Sequence, residues 1–594
     1  MVTVPLEDYA MIGDGETVAL VSKHGSIDWL CLPRFDSPAC CAALLGDERH
    51  GFWGLAPAGP VLARRQSYRR DTMVLDTEFQ CETGTLVVTD FMPERQGRPL
   101  LVRIAQVVDG CVELVSRAAF RFDYGNMPPW IVHEGSGLAM HVGPDKLALH
   151  SDASLNIEDE SAVARLALKA GESRTFVLAY GRSNEHISDG VDARSALDDT
   201  ERSGREWLRT LDTTQLSYAD AVRRSLLTLR TLIHRPTGGL VAAPTTSLPE
   251  QPGGTMNWDY RYCWLRDAAF TLDAFVECGF VNEARAWRDW ILRAVAGAPE
   301  KMQIMYRVDG SRRLDEAEIN WLPGYRFAKP VRVGNAAAGQ LQLDVWGELM
   351  SALHIAERAG MERNDQGRHL EHAVVAHVSR VWTEPDQGLW ESRGEPRHYV
   401  YSKAMAWVVL ERFLKGQGGN ELSSECRADL VALRDHMHAT ICAEGFDHGR
   451  NSFTSFFGGA EVDASLLLLP KIGFLPMSDP RMMGTLAAIE AHLVDDGFVR
   501  RHRMAALVPE GAFLACSFWL AECMLGAGRR EDAAKTIEAV IGISGRTGLL
   551  SEEYDTGSRR LAGNFPQALS HLALVQAVLA LKRFDLGKGG KANL

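Results

Sequence analysis

The chain has 594 residues, of which 46% are apolar and 24% charged, and a formal net charge of −13. It is too long for one core, since single cores stop growing near about 250–300 residues, and its excess acid without any Lys/Arg-dense block argues against nucleic acid or an anionic membrane as the main partner. A neutral small molecule fits such a surface, and the opening MVTVPLEDYAMIGDG has neither the basic start nor the long apolar run of an export signal.

The 11 cysteines are scattered, with no CxxC pair and no zinc spacing, as small buried side chains in a reducing compartment would be. No apolar run reaches the roughly 18 residues of a membrane-spanning helix, so a cytoplasmic location is expected. Residues 1–200 then read as an antiparallel β-sandwich. TLVVTDFM (85–92), LVRIAQVV (101–108), CVELVSRAAF (111–120) and TFVLAY (175–180) are short, rich in β-branched residues and divided by Gly, Asp and Pro turns. SKHGSIDWLCLPRFDSP (22–38) crowds Trp29, Arg34 and Asp36 into one segment, either a packing strip between domains or a loop that reaches a binding site.

From about residue 203 the period becomes helical. YADAVRRSLLTLRTLI (218–233) puts Val222, Leu226, Leu229 and Ile233 on one face, and further helices are expected at 267–279, 282–296, 337–359, 370–381, 400–415, 422–440, 479–494, 512–526 and 530–546, with a shorter one near 462–470. Asp479-Pro480 is a start signal, and Asn564 with Pro566 would open a last helix striped by Ala568, Leu572, Val575 and Leu579. About twelve helices with few strands between them exclude a βαβ fold. The lack of a fixed repeat weighs against a solenoid. A closed ring of helical hairpins remains, its loops converging on a central cavity.

Those loops carry the chemistry. NWDYRYCWLRDAAFTLDAF (257–275) interleaves Trp258, Tyr260, Tyr262 and Trp264 with Arg266 and Asp267. Aromatic faces cover the C–H surfaces of a pyranose while Arg and Asp bond its hydroxyls; the plainer reading is a structural ion pair. In WLPGYRFAKPVRVGNAAAGQLQLDVWGEL (321–349), Arg332 could donate to a hydroxyl or phosphate, and Asp344 suits a helical polar contact better than a catalyst. Walker and Rossmann spacings are missing. In PDQGLWESRGEPRHYVYSKAMAWVVL (385–410), Glu391 follows Trp390, and a carboxyl shielded by aromatic surface keeps its proton to higher pH, as a general acid must. His398 and Lys403 are either its neighbours or helix-end residues. GLLSEEYDTGSRR (548–560) offers Glu552 and Glu553, of which one could face the cavity as a base; otherwise both are solvated loop residues.

In order along the chain, GGLVAAPTTSLPE (238–250), NWDYRYCWLRDA (257–268), PVRVGNAA (330–337), GLWESR (388–393), HYVYSKAMAW (398–407) and LLSEEYD with GNFPQALSH (549–571) resemble the blocks of glycoside hydrolase family 15, the glucoamylase-like group that includes bacterial trehalases. GSIDWLCLPRFDSP (25–38) is similar to the bacterial members. The resemblance implies an N-terminal antiparallel β-sandwich (1–200), a helical linker (201–236) and a C-terminal all-α (α/α)6 barrel (237–594). It implies hydrolysis of an α-glucosidic bond with inversion, Glu391 matching the general acid and Glu552 the general base. Arg266 and Asp267 match the pair that grips the non-reducing glucose, with Trp264 in the same block. Arg501 falls where the family has an arginine in a GFVYRY-like segment, but here GFVRRH (497–502) puts Arg500 at the usual aromatic position, so the contacting arginine within 500–503 stays open. The expected sugar-contacting set is thus Trp264, Arg266, Asp267, Arg332, Trp390 and Arg501.

Trehalose, cut to two glucose molecules, is the expected substrate of a cytoplasmic member. The alternatives are glucoamylase or isomaltose/maltodextrin α-glucosidase activity and, in another class, a non-catalytic carbohydrate-binding or scaffold protein on this fold. No organic cofactor is implied; dependence on phosphate and Mg2+ is known among family trehalases, and a homo-oligomer is compatible.

Overall fold

The computed structural model describes residues 3–187, 190–503 and 510–587; the outermost residues of the two expected domains, 1–2 and 588–594, lie outside these. Alternating burial builds the N-terminal sheet: in Leu75–Cys81, Leu75, Thr77 and Phe79 are buried and their neighbours are not. Fifteen strands join in one antiparallel sheet. The expected strands 101–108 and 111–120 are one 20-residue strand, Leu100–Ala119. Its first half pairs with Gly84–Phe91 and Ser173–Arg182, its second with Phe52–Pro57 and Ser161–Lys169. Asp109-Gly110 is a bend inside a paired strand, not a hairpin, with Gly110 at φ 71°. The sheet thereby folds on itself, and Phe79, Leu86, Leu149 and Phe176 of one half share a core with Ile12, Val21, Ile27 and Trp53 of the other.

Twelve helices of ten or more residues follow among the described residues. The first, Ala193–Leu208, is capped by Asp192, whose Oδ1 accepts the Arg194 and Ser195 N–H groups at 3.0 and 3.1 Å. Its polar sequence hides a sparse stripe of Ala193, Leu197, Gly204 and Leu208. The helix expected over 337–359 is a 3-10 turn, Ala336–Gly339, and a helix, Asp344–Arg358, separated by residues 340–343. Asn564 does not cap the last helix: Ala568–Asp585 is capped by Gln567, while Asn564 bonds Thr245, Trp258 and Glu552.

The helix Ala268–Glu277 packs on Asp344–Arg358, that helix on Val400–Lys415, then follow the short Ala464–Leu468 turn, Leu514–Gly526 and Ala568–Asp585, which returns to Ala268–Glu277. These elements are apolar all round, as buried helices must be: fifteen of the sixteen residues of Val400–Lys415 are buried. Ser424–Glu444, packed on its outside, buries only Met437 and Ile441. Lys403 is one of the buried fifteen, and its Nζ donates to the Trp382 and Glu384 carbonyls at the end of a neighbouring helix. Burial brings its pKa down to about 8.

The segment 22–38 packs between the sheet and the helices. Trp29 Nε1 donates to the Pro244 carbonyl at 2.8 Å, and Asp36 bonds Arg307 at 2.7 Å. Arg261, 1% exposed, is held by Asp259, by the Ser37 carbonyl at 2.8 Å and by the Tyr124 hydroxyl at 2.9 Å. Asp259 in turn accepts the Gly334 N–H at 3.1 Å. None of the eleven cysteines is paired and seven are buried. No helix among the described residues is long and apolar enough to cross a membrane.

Candidate active site

The loops entering the inner elements at their N-terminal ends meet around a cavity of about 540 Å³, within the range of small-molecule sites. Arg266 immediately precedes Ala268–Glu277, Glu391 precedes Val400–Lys415, Asp463 caps Ala464–Leu468, Phe513 precedes Leu514–Gly526, and Glu552 lies ahead of Ala568–Asp585. All but Glu552 line the cavity, beside Trp258, Tyr260, Trp390 and Arg501.

Glu391 sits in a tight turn at φ 57°, its N–H bonded to the Gly388 carbonyl at 3.1 Å. That turn points its carboxyl away from adjacent Trp390. The indole that reaches it belongs to Trp264, whose Nε1 donates to Oε1 at 2.6 Å, with Arg266 Nη1 on the same oxygen at 3.2 Å. Burial raises the Glu391 pKa above the usual glutamate value, against the opposing pull of Arg266 and the Trp264 N–H. A side chain 15% exposed with a raised pKa can hold a proton and still take one up from solvent.

Trp390 lines the cavity as an aromatic wall, its ring 5.5 Å from Phe513 and 5.5 Å from the Arg501 guanidinium. Arg266 also bonds Asp267 through Nε at 3.1 Å; Asp267 is 3% exposed and burial raises its pKa. Trp264 and Asp267 form the layer behind Arg266 and are not on the cavity surface, and neither is Arg332. The Arg332 guanidinium is spent on the Thr255 and Asn257 carbonyls, at 2.8 and 3.2 Å, and on Glu316. Arg332 and Arg393 stand 4.6 and 4.4 Å from the centroid of Trp258 and hold that ring in the wall. Asp344 opens its helix fully buried, with no hydrogen bond to either oxygen among the described residues, and burial pushes it up to about 7. His398 is exposed and does not reach the site.

The opposite wall is acidic. Glu552 is 0% exposed; its Oε2 accepts the Asn564 N–H at 3.2 Å. Burial pushes its pKa up to about 6, while Arg501, Tyr260, the Asn564 N–H and Arg266 favour the ionised form. Tyr260 is the cavity residue nearest in role, since it both lines the cavity and stabilises Glu552. Arg501 bonds Glu250 and Glu510 and lies 3.5 Å from Glu553. Of the arginines near 500, Arg500 turns to Asp495, and Arg501 and Arg503 line the cavity. Oxygens of Glu250, Glu510 and Glu553 lie within 4.8 Å of one another. A bound Mg2+ would want such oxygens, but Arg501 already fills the cation's place among them. The donors therefore do not fit the ion, and no step runs through it.

Tyr260, Glu250 and Glu510 were not among the expected site residues. Tyr260 stood in a quoted block, and only its position in space sets it apart; Glu250 and Glu510 come together from points 260 positions apart in the chain.

Residues 217–537 match the family model described as glycosyl hydrolases family 15, and residues 2–199 one described as trehalase-like, N-terminal. A trehalase of Mycobacterium tuberculosis is 35% identical over 98% of this chain and 90% of its own length. A trehalase of Thermoplasma acidophilum is 33% identical over 97% of this chain and 100% of its own. Among solved structures, a bacterial glucoamylase complexed with acarbose aligns over 99% of this chain and 95% of its own with a TM-score of 0.73, at 12% identity. That last likeness is one of fold.

Proposed function

This chain belongs to glycosyl hydrolase family 15, and we propose that it hydrolyses α,α-trehalose to two glucose molecules with inversion at the attacked carbon. The observation that carries the substrate is similarity to trehalases along almost the whole chain, both units included. The proposed division is a sheet unit (1–200), a helical connection (201–236) straddled by Ala193–Leu208, and an (α/α)6 barrel (237–594). Five helices and the Ala464–Leu468 turn are its inner ring. A cytoplasmic site of action goes with this reading, and no organic cofactor is needed.

In the mechanism, Glu391 is the general acid. Its carboxyl faces the cavity, burial shifts its pKa upward in favour of the protonated form, and it donates to the glycosidic oxygen as the bond breaks. Glu552 is the general base. It is ionised above about pH 6, favoured in that form by the Tyr260 hydroxyl, and draws a proton from the attacking water. Inversion requires the two carboxyls to stand about 6.5–9.5 Å apart with that water between base and anomeric carbon. Positive charge developing on the sugar ring is stabilised by carboxylates where water is scarce. Arg266, backed by Asp267, orients the ring hydroxyls, and Trp258 and Trp390 cover its apolar faces.

The test is glucose release from trehalose, maltose, isomaltose and soluble starch side by side, with and without phosphate and Mg2+. Trehalose is expected to turn over fastest. Proton NMR at early times should show α- and β-glucose in equal amounts; two α-glucose molecules per trehalose would mean retention and sink the inverting assignment.

A further inference from the structure

We infer that Gln340, held in place by Gln342, is a positioning residue for the general acid. This rests on Glu391 being that acid. The two glutamines occupy the break between the Ala336–Gly339 turn and the Asp344–Arg358 helix. Gln340 Nε2 donates to the backbone carbonyls of Glu391 and Ser392, at 3.2 and 3.1 Å. Gln342 Nε2 donates to Gln340 Oε1 at 3.0 Å, and Gln342 is 3% exposed.

The chemistry admits one orientation of this relay. Carbonyl oxygens only accept, so the end of Gln340 facing Glu391 and Ser392 must be its NH2 group, and its oxygen is left for a donor. Gln342 supplies that donor. Two further bonds join the same pair of segments: the Leu343 N–H reaches Asp386 at 2.9 Å and the Gln387 N–H reaches the Leu341 carbonyl at 3.1 Å.

Two features make the clamp matter. A non-glycine residue in the left-handed region is strained, and Glu391 at φ 57° needs neighbours that hold it there. Gln340 and Gln342 also line a second cavity, of about 500 Å³. None of residues 388–393 lines that cavity, which the two amides border instead. Once the amide is lost, the carboxyl on Trp264 and Arg266 can shift relative to the glycosidic oxygen.

The experiment compares trehalose with α-D-glucopyranosyl fluoride, whose fluoride leaves without needing a proton, in Gln340→Met and Gln342→Met, with Glu391→Gln as the reference. Because a misplacement of about 1 Å can cost roughly 100-fold, Gln340→Met is expected to lower kcat on trehalose by about 10- to 100-fold. KM and turnover of the fluoride should stay within about 3-fold, and Gln342→Met should show the same selectivity more weakly. Equal loss on both substrates, or full activity on trehalose in a folded Gln340→Met enzyme, overturns the inference. If Glu391→Gln itself keeps trehalose hydrolysis, the assignment of the acid fails instead, and the clamp falls with it. Should Gln340→Met not fold, Gln342→Met carries the same comparison.

Discussion

On one wall of the cavity a single carboxyl, Glu391, faces the open space and meets one indole N–H and one guanidinium N–H. On the other, Glu250, Glu510 and Glu553 gather around Arg501, and Glu552 lies fully buried close by, with Tyr260 on the cavity side. Burial raises the pKa of both Glu391 and Glu552, yet the walls use the shift differently. The Glu391 carboxyl, 15% exposed, opens onto the cavity. The hidden one, pushed up to about 6 by burial, is favoured in its ionised form by Arg501, Tyr260 and a backbone N–H. In the proposed mechanism these different surroundings give the two glutamates opposite duties.

The contrast can be broken most sharply by Glu552→Gln. General acid–base groups contribute about 10²- to 10⁴-fold, so kcat should fall at least about 100-fold while calorimetry finds trehalose bound within a few-fold of wild type. Activity near wild type would remove Glu552 from the chemistry. Next comes Arg501→Met, which leaves three glutamates without their shared cation. Stripping a buried cluster of its partner costs about 3–5 kcal/mol, read as a lowered Tm, and the acid limb of kcat/KM should move to higher pH as Glu552 loses its strongest stabilising neighbour.

The acid limb itself is the third test. Glu552 must be ionised, so kcat/KM should decline as pH falls through about 6; a profile flat from about pH 7 to 5 would contradict the base wall as drawn. The fourth concerns stability. A carboxyl raised from 4.5 to about 6 on folding costs about 2 kcal/mol above pH 6, and the cost fades as pH drops towards 4.5. Glu552→Gln should therefore be the more stable protein at pH 7, with the gain gone near pH 4.5. The smallest effect belongs to Arg332→Met, which loosens Trp258 without touching either carboxyl: KM should rise a few-fold at constant kcat.

What could be read from the sequence was chemistry contiguous along the chain. Arg266 and Glu391 each belong to a short motif ahead of an inner helix, and both line the cavity; Trp264 and Asp267 of the same blocks stand behind it, bonded to Glu391 and Arg266. The N-terminal strands and most helices were legible for the same reason, from period alone. Legibility failed where a residue's partner comes from elsewhere. Arg332 looks like a ligand-binding arginine until the Thr255 and Asn257 carbonyls, some 75 residues earlier, are found on it. Asn564 is a good helix cap by type, yet it ties Thr245 and Trp258 to Glu552. The Ala-rich stretch 336–339 and the helix after it share one propensity, so the break at 340–343 shows no local signal; there the Leu343 N–H bonds Asp386 and the Leu341 carbonyl accepts the Gln387 N–H, partners from over 40 residues on.

Arg261 draws its acceptors from both units of the molecule: Asp259 from the catalytic loop, and the Ser37 carbonyl and Tyr124 hydroxyl from the sheet. Without the N-terminal unit Arg261 would keep Asp259 but lose the other two acceptors beneath the loop that carries Tyr260, Trp264 and Arg266. The sheet is therefore masonry under the catalytic floor. Evolution could reshape the cavity rim loop by loop, but it could not trade the N-terminal unit for another without resetting the floor as well.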